Sequence, residues 1–419
     1  MNRFFVTALL LAAFGCQDDV QLYEPDTPVV TDCTVCTDDV GCDPAPDGTA
    51  CEKGMCMDGE CTMDPSGTGL LRVFAGEHDS CAATAAGVLW CWGKNEAGKL
   101  GLGDELPRVD PAQVDAGPWS DIALGKRHAC GVKSDGSLWC WGDNARGELG
   151  LGTLTAELTP TQVTSPVAQW RQVAAGDDHT CALAADGRLF CWGRGSEGQL
   201  GQGDVADADT PTLVTLGGDT ARDLSLGKHD SCVIDTRGQL RCWGANNEGQ
   251  LGLGDRTDRT EPALIDLGAA VAHVGTGEAH TCAATVSGEF WCFGRNRDGE
   301  LGVGDTATDR YESPIVLEFG ASVDAIALGN HHSCALDGGW LWCWGKSDHG
   351  QLGLGDTETR YSPRRVDVAG DWKDITAGNS HTCGVRGDGS VYCWGANADG
   401  ELGIGDDLID RLLPTRTDL

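Results

Sequence analysis

The 419-residue sequence predicts an all-β fold, a seven-bladed β-propeller of four-stranded blades preceded by a small disulfide-rich segment. Three observations carry this expectation. The first is a unit that recurs seven times after about residue 70. Its first cysteines, Cys81, Cys130, Cys181, Cys232, Cys282, Cys334 and Cys383, follow one another at steps of 49, 51, 51, 50, 52 and 49 residues. A period that regular marks a repeat architecture. The second is that each unit reads as four strand-like pieces. The third is that the strands are apolar on both faces: in Leu138-Trp139-Cys140-Trp141, alternation sends the two Trp side chains one way and Leu138 with Cys140 the other. A radial ring in which each small sheet is sandwiched by its neighbours covers both faces without helices.

In chain order, residues 1–15 resemble a bacterial lipoprotein signal: Arg3, an apolar run from Phe4 to Phe14, then Gly15 before Cys16. The resemblance implies a lipidated Cys16 as the mature start. Residues 16–32 read as a tether, with Pro25, Pro28 and several acids. Within 33–63 lie Cys33, Cys36, Cys42, Cys51, Cys56 and Cys61, a density that in an exported chain implies a disulfide knot in place of a core. Fifteen connectivities are open to six cysteines. Residues 64–69 form a linker, and 70–419 hold the repeats.

Each repeat is built on a hairpin between its two cysteines. Nine residues separate them in six copies, with a triplet ending in Gly at the midpoint, such as Ala185-Asp186-Gly187. That suits a three-residue turn whose last residue takes the left-handed conformation, and it sets the cysteines opposite one another. In the sixth copy eight residues separate Cys334 from Cys343, and a two-residue turn at Gly338-Gly339 keeps them facing. The expected bridges are Cys81 to Cys91, Cys130 to Cys140, Cys181 to Cys191, Cys232 to Cys242, Cys282 to Cys292, Cys334 to Cys343 and Cys383 to Cys393; the alternative is small buried thiols packed as apolar side chains. Fourteen cysteines in bridges, six in the knot and one at the anchor account for all 21. A further strand precedes Gly-x-x-His, as in Asp374-Ile375-Thr376-Ala377. The fourth is expected to begin at Pro, as at Pro111, Pro160, Pro211 and Pro262. Since a spare Pro414 piece follows the last copy, Leu413–Leu419 is expected to close the ring by pairing with Leu70–Phe74.

The string Gly-x-x-His-x-Cys, an Asp-Gly-type turn, then Trp-Gly-x-Asn-x-x-Gly-x-Leu-Gly resembles the repeat of the regulator of chromosome condensation family, over roughly Leu70 to Leu419. The resemblance implies a seven-bladed propeller. The family's exchange activity on the GTPase Ran uses an insertion from one blade, for which the even spacing leaves no room. Plant ultraviolet-B photoreceptors of the family place Trp beside Arg-His, where this chain has Gly125-Lys126-Arg127-His128 and Gly176-Asp177-Asp178-His179. Photoreception is therefore not expected.

A net charge of −34 argues against nucleic acid, whose phosphates demand a basic face. The histidines His78, His128, His179, His229, His280, His331 or His332, and His381 are taken as one repeated structural position rather than metal ligands. Asn296-Arg297-Asp298-Gly299 and Asn397-Ala398-Asp399-Gly400 faintly resemble calcium loops but lack the distal bidentate Glu, and read as turns. No nucleophile elbow, zinc-protease pair or phosphate loop occurs, so neither catalytic residues, metal nor cofactor is expected.

The expected function is a lipid-anchored, extracytoplasmic protein-binding scaffold of the bacterial envelope. It would be monomeric and touch membrane only through its lipid, its protein partner being unidentified. The alternative is an extracytoplasmic polysaccharide- or peptide-directed enzyme with carboxylates on the loops. Partner contact is expected on the loops after Gly-x-Gly-Asp, where three successive copies carry Arg259, Arg310 with Tyr311, and Arg360 with Tyr361; Arg and Tyr concentrate binding energy.

Overall fold

In the computed structural model every repeat folds as one antiparallel sheet of four strands that are consecutive in sequence, and there are seven such sheets. The residues described are 72–419 apart from 115–116, 305–306, 320–322, 367–369, 406 and 418, together with the backbone of five short strands within 20–63. The chain divides into two units, Met1–Gly69 and Leu70–Leu419. In the first, Val20–Tyr23, Thr27–Val30, Ala50–Cys51, Gly54–Met57 and Glu60–Met63 form a five-stranded sheet. Cys16, Cys33, Cys36 and Cys42 lie outside the described residues, as do the side chains of Cys51, Cys56 and Cys61.

The third blade shows how local sequence dictates the sheet. Its strands, from the axis outward, are Trp170–Ala175, His179–Ala184, Leu189–Gly193 and Ala208–Val214. Gly187, at φ 84°, closes the central hairpin in the left-handed region. Cys181 then stands opposite Cys191. The same register recurs in all seven blades, where the paired cysteines have Cα atoms 4.1–4.2 Å apart and are bridged. In the sixth blade Gly338 and Gly339 both take positive φ, 57° and 82°, as a two-residue hairpin turn requires.

Two expectations about the outer strand need correction. It begins ahead of the Pro: Pro211 lies inside Ala208–Val214, where the register shifts between the pairs Cys191↔Thr212 and Gly193↔Ala208. A bulge on an edge strand has no use for the missing N–H, so Pro is tolerated there. The ring also does not close by strand exchange. The outer strand Arg411–Arg416 pairs with Val391–Gly395 of its own blade, setting Cys393 opposite Thr415, while Arg72–Ala75 begins a complete first blade whose outer strand is Arg108–Val114. Each Pro strand therefore completes the unit it follows, so no strand is spare.

Closure is instead by side-chain packing, as at every other blade boundary. Seven apolar clusters lie between neighbouring blades, and the one at the seam joins Val73, Ala82 and Trp92 to Cys383, Val385, Val391, Cys393 and Leu402. Trp139 and Trp141 face the first blade, while Leu138 and Cys140 face the third. In six blades the residue after the second Cys is a buried Trp whose indole N–H crosses to the neighbouring blade, as from Trp243 to the Gln199 carbonyl at 2.8 Å, and in the fifth blade the position is held by the buried Phe293. Gly201 is needed beneath Trp243: at φ +68°, any Cβ there would come within 2.7 Å of the indole Nε1.

Candidate functional site

Antiparallel strand order decides which segments share a face. The Gly-x-x-His turn links the first strand to the second, and the loop carrying Gly-x-Leu-Gly-x-Gly links the third to the fourth. Both therefore emerge on one face of the ring, while the disulfide hairpins turn on the other. The axial channel opens on the first face through a cavity of about 190 Å³ lined by one Gly-x pair per blade. The x residues run Glu77, Lys126, Asp177, Lys228, Glu278, Asn330, Asn379, so five blades alternate in sign. Lys228 Nζ lies 3.1 Å from Glu278 and 3.9 Å from Asp177, and Lys126 lies 3.7 Å from Asp177 and 3.9 Å from Glu77. Burial raises the Asp177 carboxyl to about 6, against the pull of the two lysines. Glu278 is partly buried as well, which alone would raise it, but Arg295 and Lys228 hold it down to about 2.

Beneath this mouth lies a belt of buried histidines. His128, His179, His280, His332 and His381 each set Nε2 2.9–3.0 Å from a Thr or Ser hydroxyl of the next blade. That hydroxyl in turn donates to a loop carbonyl, as Thr180 does to Glu148 at 2.8 Å. With the hydroxyl proton so committed, the imidazole must donate from Nε2–H, which leaves Nδ1 bare. Burial drives these rings well below their ordinary pKa, to about 3 for His128, His179 and His332 and about 4 for His280 and His381. They are neutral structural links.

The expectation of one histidine per repeat is corrected at two places. In the first and fourth blades the belt position is held by Asp79 and Asp230, with His78 and His229 one residue earlier. Asp79 binds Lys99 Nζ at 2.6 Å, both side chains being buried, and accepts the Asn95 N–H at 2.7 Å. The second blade correspondingly has Ala129 where the others carry a hydroxyl. Asp230 has no such arrangement: neither carboxylate oxygen has a hydrogen-bond partner, and burial raises its pKa well above the usual range. The slip in register was visible in the sequence, because a His stands two residues before the first Cys in five copies but His78 and His229 stand three before it.

The loops around the mouth are firmly built. Asn246 donates to the Asp255 and Thr257 carbonyls and accepts the Leu251 N–H, and Asn397 accepts the Leu402 N–H at 3.1 Å. Asn296 accepts the Leu301 N–H in the same way at 3.3 Å, so both calcium-like strings serve as turn staples. Arg259 and Arg360 clamp the motif acids Asp255 and Asp356 at 2.7 and 2.6 Å, as Arg108 and Arg411 clamp Asp104 and Asp407. Arg310 instead reaches Glu248 of the preceding blade at 3.4 Å. Tyr311 is half-buried against its own blade's core, and Tyr361 lies exposed over Gly299 of the preceding blade. Sequence reasoning passed over the loop aliphatics. Leu106, Leu154, Val205, Leu408 and Ile409 are 64, 63, 57, 47 and 65% exposed. They belong to the first, second, third and seventh blades, which are consecutive around the ring.

Comparison with known proteins matches residues 65–273 to the RCC1-like domain, and residues 287–336, 338–385 and 388–418 to the regulator of chromosome condensation (RCC1) repeat. The chain is 31% identical over 328 residues to the ultraviolet-B receptor UVR8 of Arabidopsis thaliana, covering 76% of this chain and 63% of that protein. It is 31% identical over 211 residues to the human E3 ubiquitin-protein ligase HERC2, covering 49% of this chain and 4% of the ligase. It thus spans less than two thirds of the length of these relatives. Among solved structures, yeast RCC1 (Prp20), in its complex with Kap60, superposes with a TM-score of 0.73 at 24% identity over 80% of this chain and 85% of that one. Human WBSCR16 superposes with a TM-score of 0.72 at 21% identity over 79 and 94%. At such identities the likeness is one of fold.

Proposed function

The chain belongs to the family of seven-bladed propellers built from RCC1 repeats, and from that premise we propose that it works as a protein-binding scaffold, tethered to a bacterial envelope membrane through a lipidated Cys16. The observation that carries the binding reading is the arc of five exposed aliphatic side chains on four successive loops of one face. Apolar side chains grouped on rigid loops are a common mark of an interaction surface. The arc is set among acids, Asp104, Glu105, Asp204 and Asp207 being on the same loops, in a chain of net charge −34. Its complement is a basic protein segment with apolar anchors, steered by charge and held by burial. The arginines at 259 and 360, clamped to their own loop acids, serve mainly to stiffen the opposite side of the rim.

The anchor rests on the residues before Cys16 and on cysteine parity. Substituting Cys16→Ser should release the protein from the membrane fraction; a variant that stays membrane-bound removes that half of the proposal. For the binding half, photo-crosslinking side chains placed at 106, 154 and 409 should capture one partner, and those at 135, 186 and 388 in the opposite turns should not. Leu106→Asp with Leu154→Asp should then weaken affinity by more than about tenfold, or ~1.4 kcal/mol, while Arg310→Ala with Tyr361→Ala should change it less. Capture only from the opposite turns would overturn the assignment of this face.

A further inference from the structure

We propose that the seam between the seventh and first blades holds a divalent transition-metal ion, of the Zn²⁺ class, on His78, Asp399 and Glu401. One ligand atom from each lies within 4.8 Å of the other two. His78 Nδ1 is 3.4 Å from Glu401 Oε1 and 3.5 Å from Asp399 Oδ2. Those separations are near the edge of a tetrahedron with bonds of about 2.0–2.1 Å, which is about 3.3 Å. One imidazole with two carboxylates is a borderline donor set that suits such an ion. Glu401 is buried while His78 and Asp399 are partly exposed, so the site has a fixed floor and an open side.

The repeat supplies an internal control. The three positions are the residues flanking the Gly of the loop turn in one blade and the second residue after the Gly of the mouth turn in the next. At five of the seven boundaries they do not make a ligand set: they read, for example, Ala97, Lys99 and Arg127 between the first and second blades, and Glu248, Gln250 and Ala279 between the fourth and fifth. Only one other boundary, between the fifth and sixth blades, repeats the combination, as Asp298, Glu300 and His331. There a guanidinium already supplies the positive charge: Arg295 donates to Glu300 and Glu278, each at 2.7 Å, and to the Asn330 carbonyl. The position matching Arg295 in the seventh blade is Ala396. Lys94, whose charge is felt at His78 and Asp399, is itself paired with Glu96, its Nζ 3.4 Å from that carboxylate. The same acid-acid-imidazole cluster is therefore filled by an arginine in one place and left for a small cation in the other. The ion would replace the proton on His78 Nδ1.

Co²⁺ titration of the full, oxidised, chelator-treated chain tests this, read by visible absorption and by equilibrium dialysis, with Zn²⁺ competing. One equivalent should bind, with an absorption pattern free of thiolate charge transfer. His78→Gln and Asp399→Asn, both at partly exposed positions, should each weaken binding more than about tenfold without changing the near-ultraviolet circular dichroism of the ion-free protein. Arg295→Ala should raise the count from one equivalent to two. A wild-type chain that takes up no Co²⁺, or binding that His78→Gln leaves unchanged, overturns the site. A count that stays at one in Arg295→Ala overturns the comparison on which it rests.

Discussion

The belt position shows how one residue type is chosen by what its neighbours have left to give. Asp79 and Asp230 occupy equivalent places, yet the first is paired and the second is not. The same substitution should therefore act in opposite directions. Asp230→His places an Nε2–H beside Thr281, whose hydroxyl already donates to the Gln250 carbonyl, and removes a buried carboxyl without a partner; unfolding should become harder by about 1–3 kcal/mol. Asp79→His leaves Lys99 charged and alone in the interior and finds no hydroxyl at Ala129, so it should cost about 3–5 kcal/mol. Urea titration of both variants settles the pair, and equal signs would count against this account. The histidines also make stability depend on pH. Because the folded pKa of His179, about 3, lies below its ordinary 6.5, the unfolded chain takes up a proton between those values that the folded chain refuses. Stability must fall as pH falls through that window. His179→Gln keeps a donor for Ser231 and cannot titrate. Its stability should fall less steeply than wild type between pH 6 and 4, by about 1.4 kcal/mol per pH unit. Parallel curves would show that His179 is protonated in the fold.

At the scale of the element, the central hairpin was the most legible part of the sequence. A turn ending in glycine and two cysteines at equal distance from the centre of that turn specify the register alone, because a slip by one residue would part the sulfurs. Each bridge closes a loop of about ten residues, worth roughly 3 kcal/mol in the chain-entropy model. Replacing Cys181 and Cys191 together by Ala should reduce unfolding free energy by about that amount; a loss below about 1 kcal/mol would mean that the pair only fills space. The outer strand was less legible, and the reason is physical. A Pro usually marks a strand start or edge, and a bulge on the outer strand satisfies the same requirement three residues further in. Misplacing that boundary made the last Pro segment look surplus, from which strand exchange followed.

At the scale of the whole molecule, period and two-sided apolar strands were enough for the ring, since seven half-covered sheets have few other ways to bury both faces. The sites were less accessible. The metal cluster joins residues 78 and 399–401, and the aliphatic arc joins 408–409 to 106, 154 and 205; both become neighbours only when the first and last blades meet. Arg259, Arg310 and Arg360 recur at nearly the same offset, but recurrence in a repeat protein reports the shared scaffold: for Arg259 and Arg360 it reports a clamp on the loop acid, while Arg310 turns to Glu248 of the preceding blade. The seam has a further consequence for synthesis. A chain made from its N-terminus presents the surface of Val73, Ala82 and Trp92 some 300 residues before Cys383 to Leu402 exist to cover it. No strand crosses the seam to enforce closure within one molecule. Until the seventh blade is complete the nascent propeller is an open arc with two uncovered ends, and at high chain concentration such ends can meet those of another chain before their own. The misassembly this predicts is a ring shared between chains, and it should grow with chain concentration and with any delay in completing the last repeat.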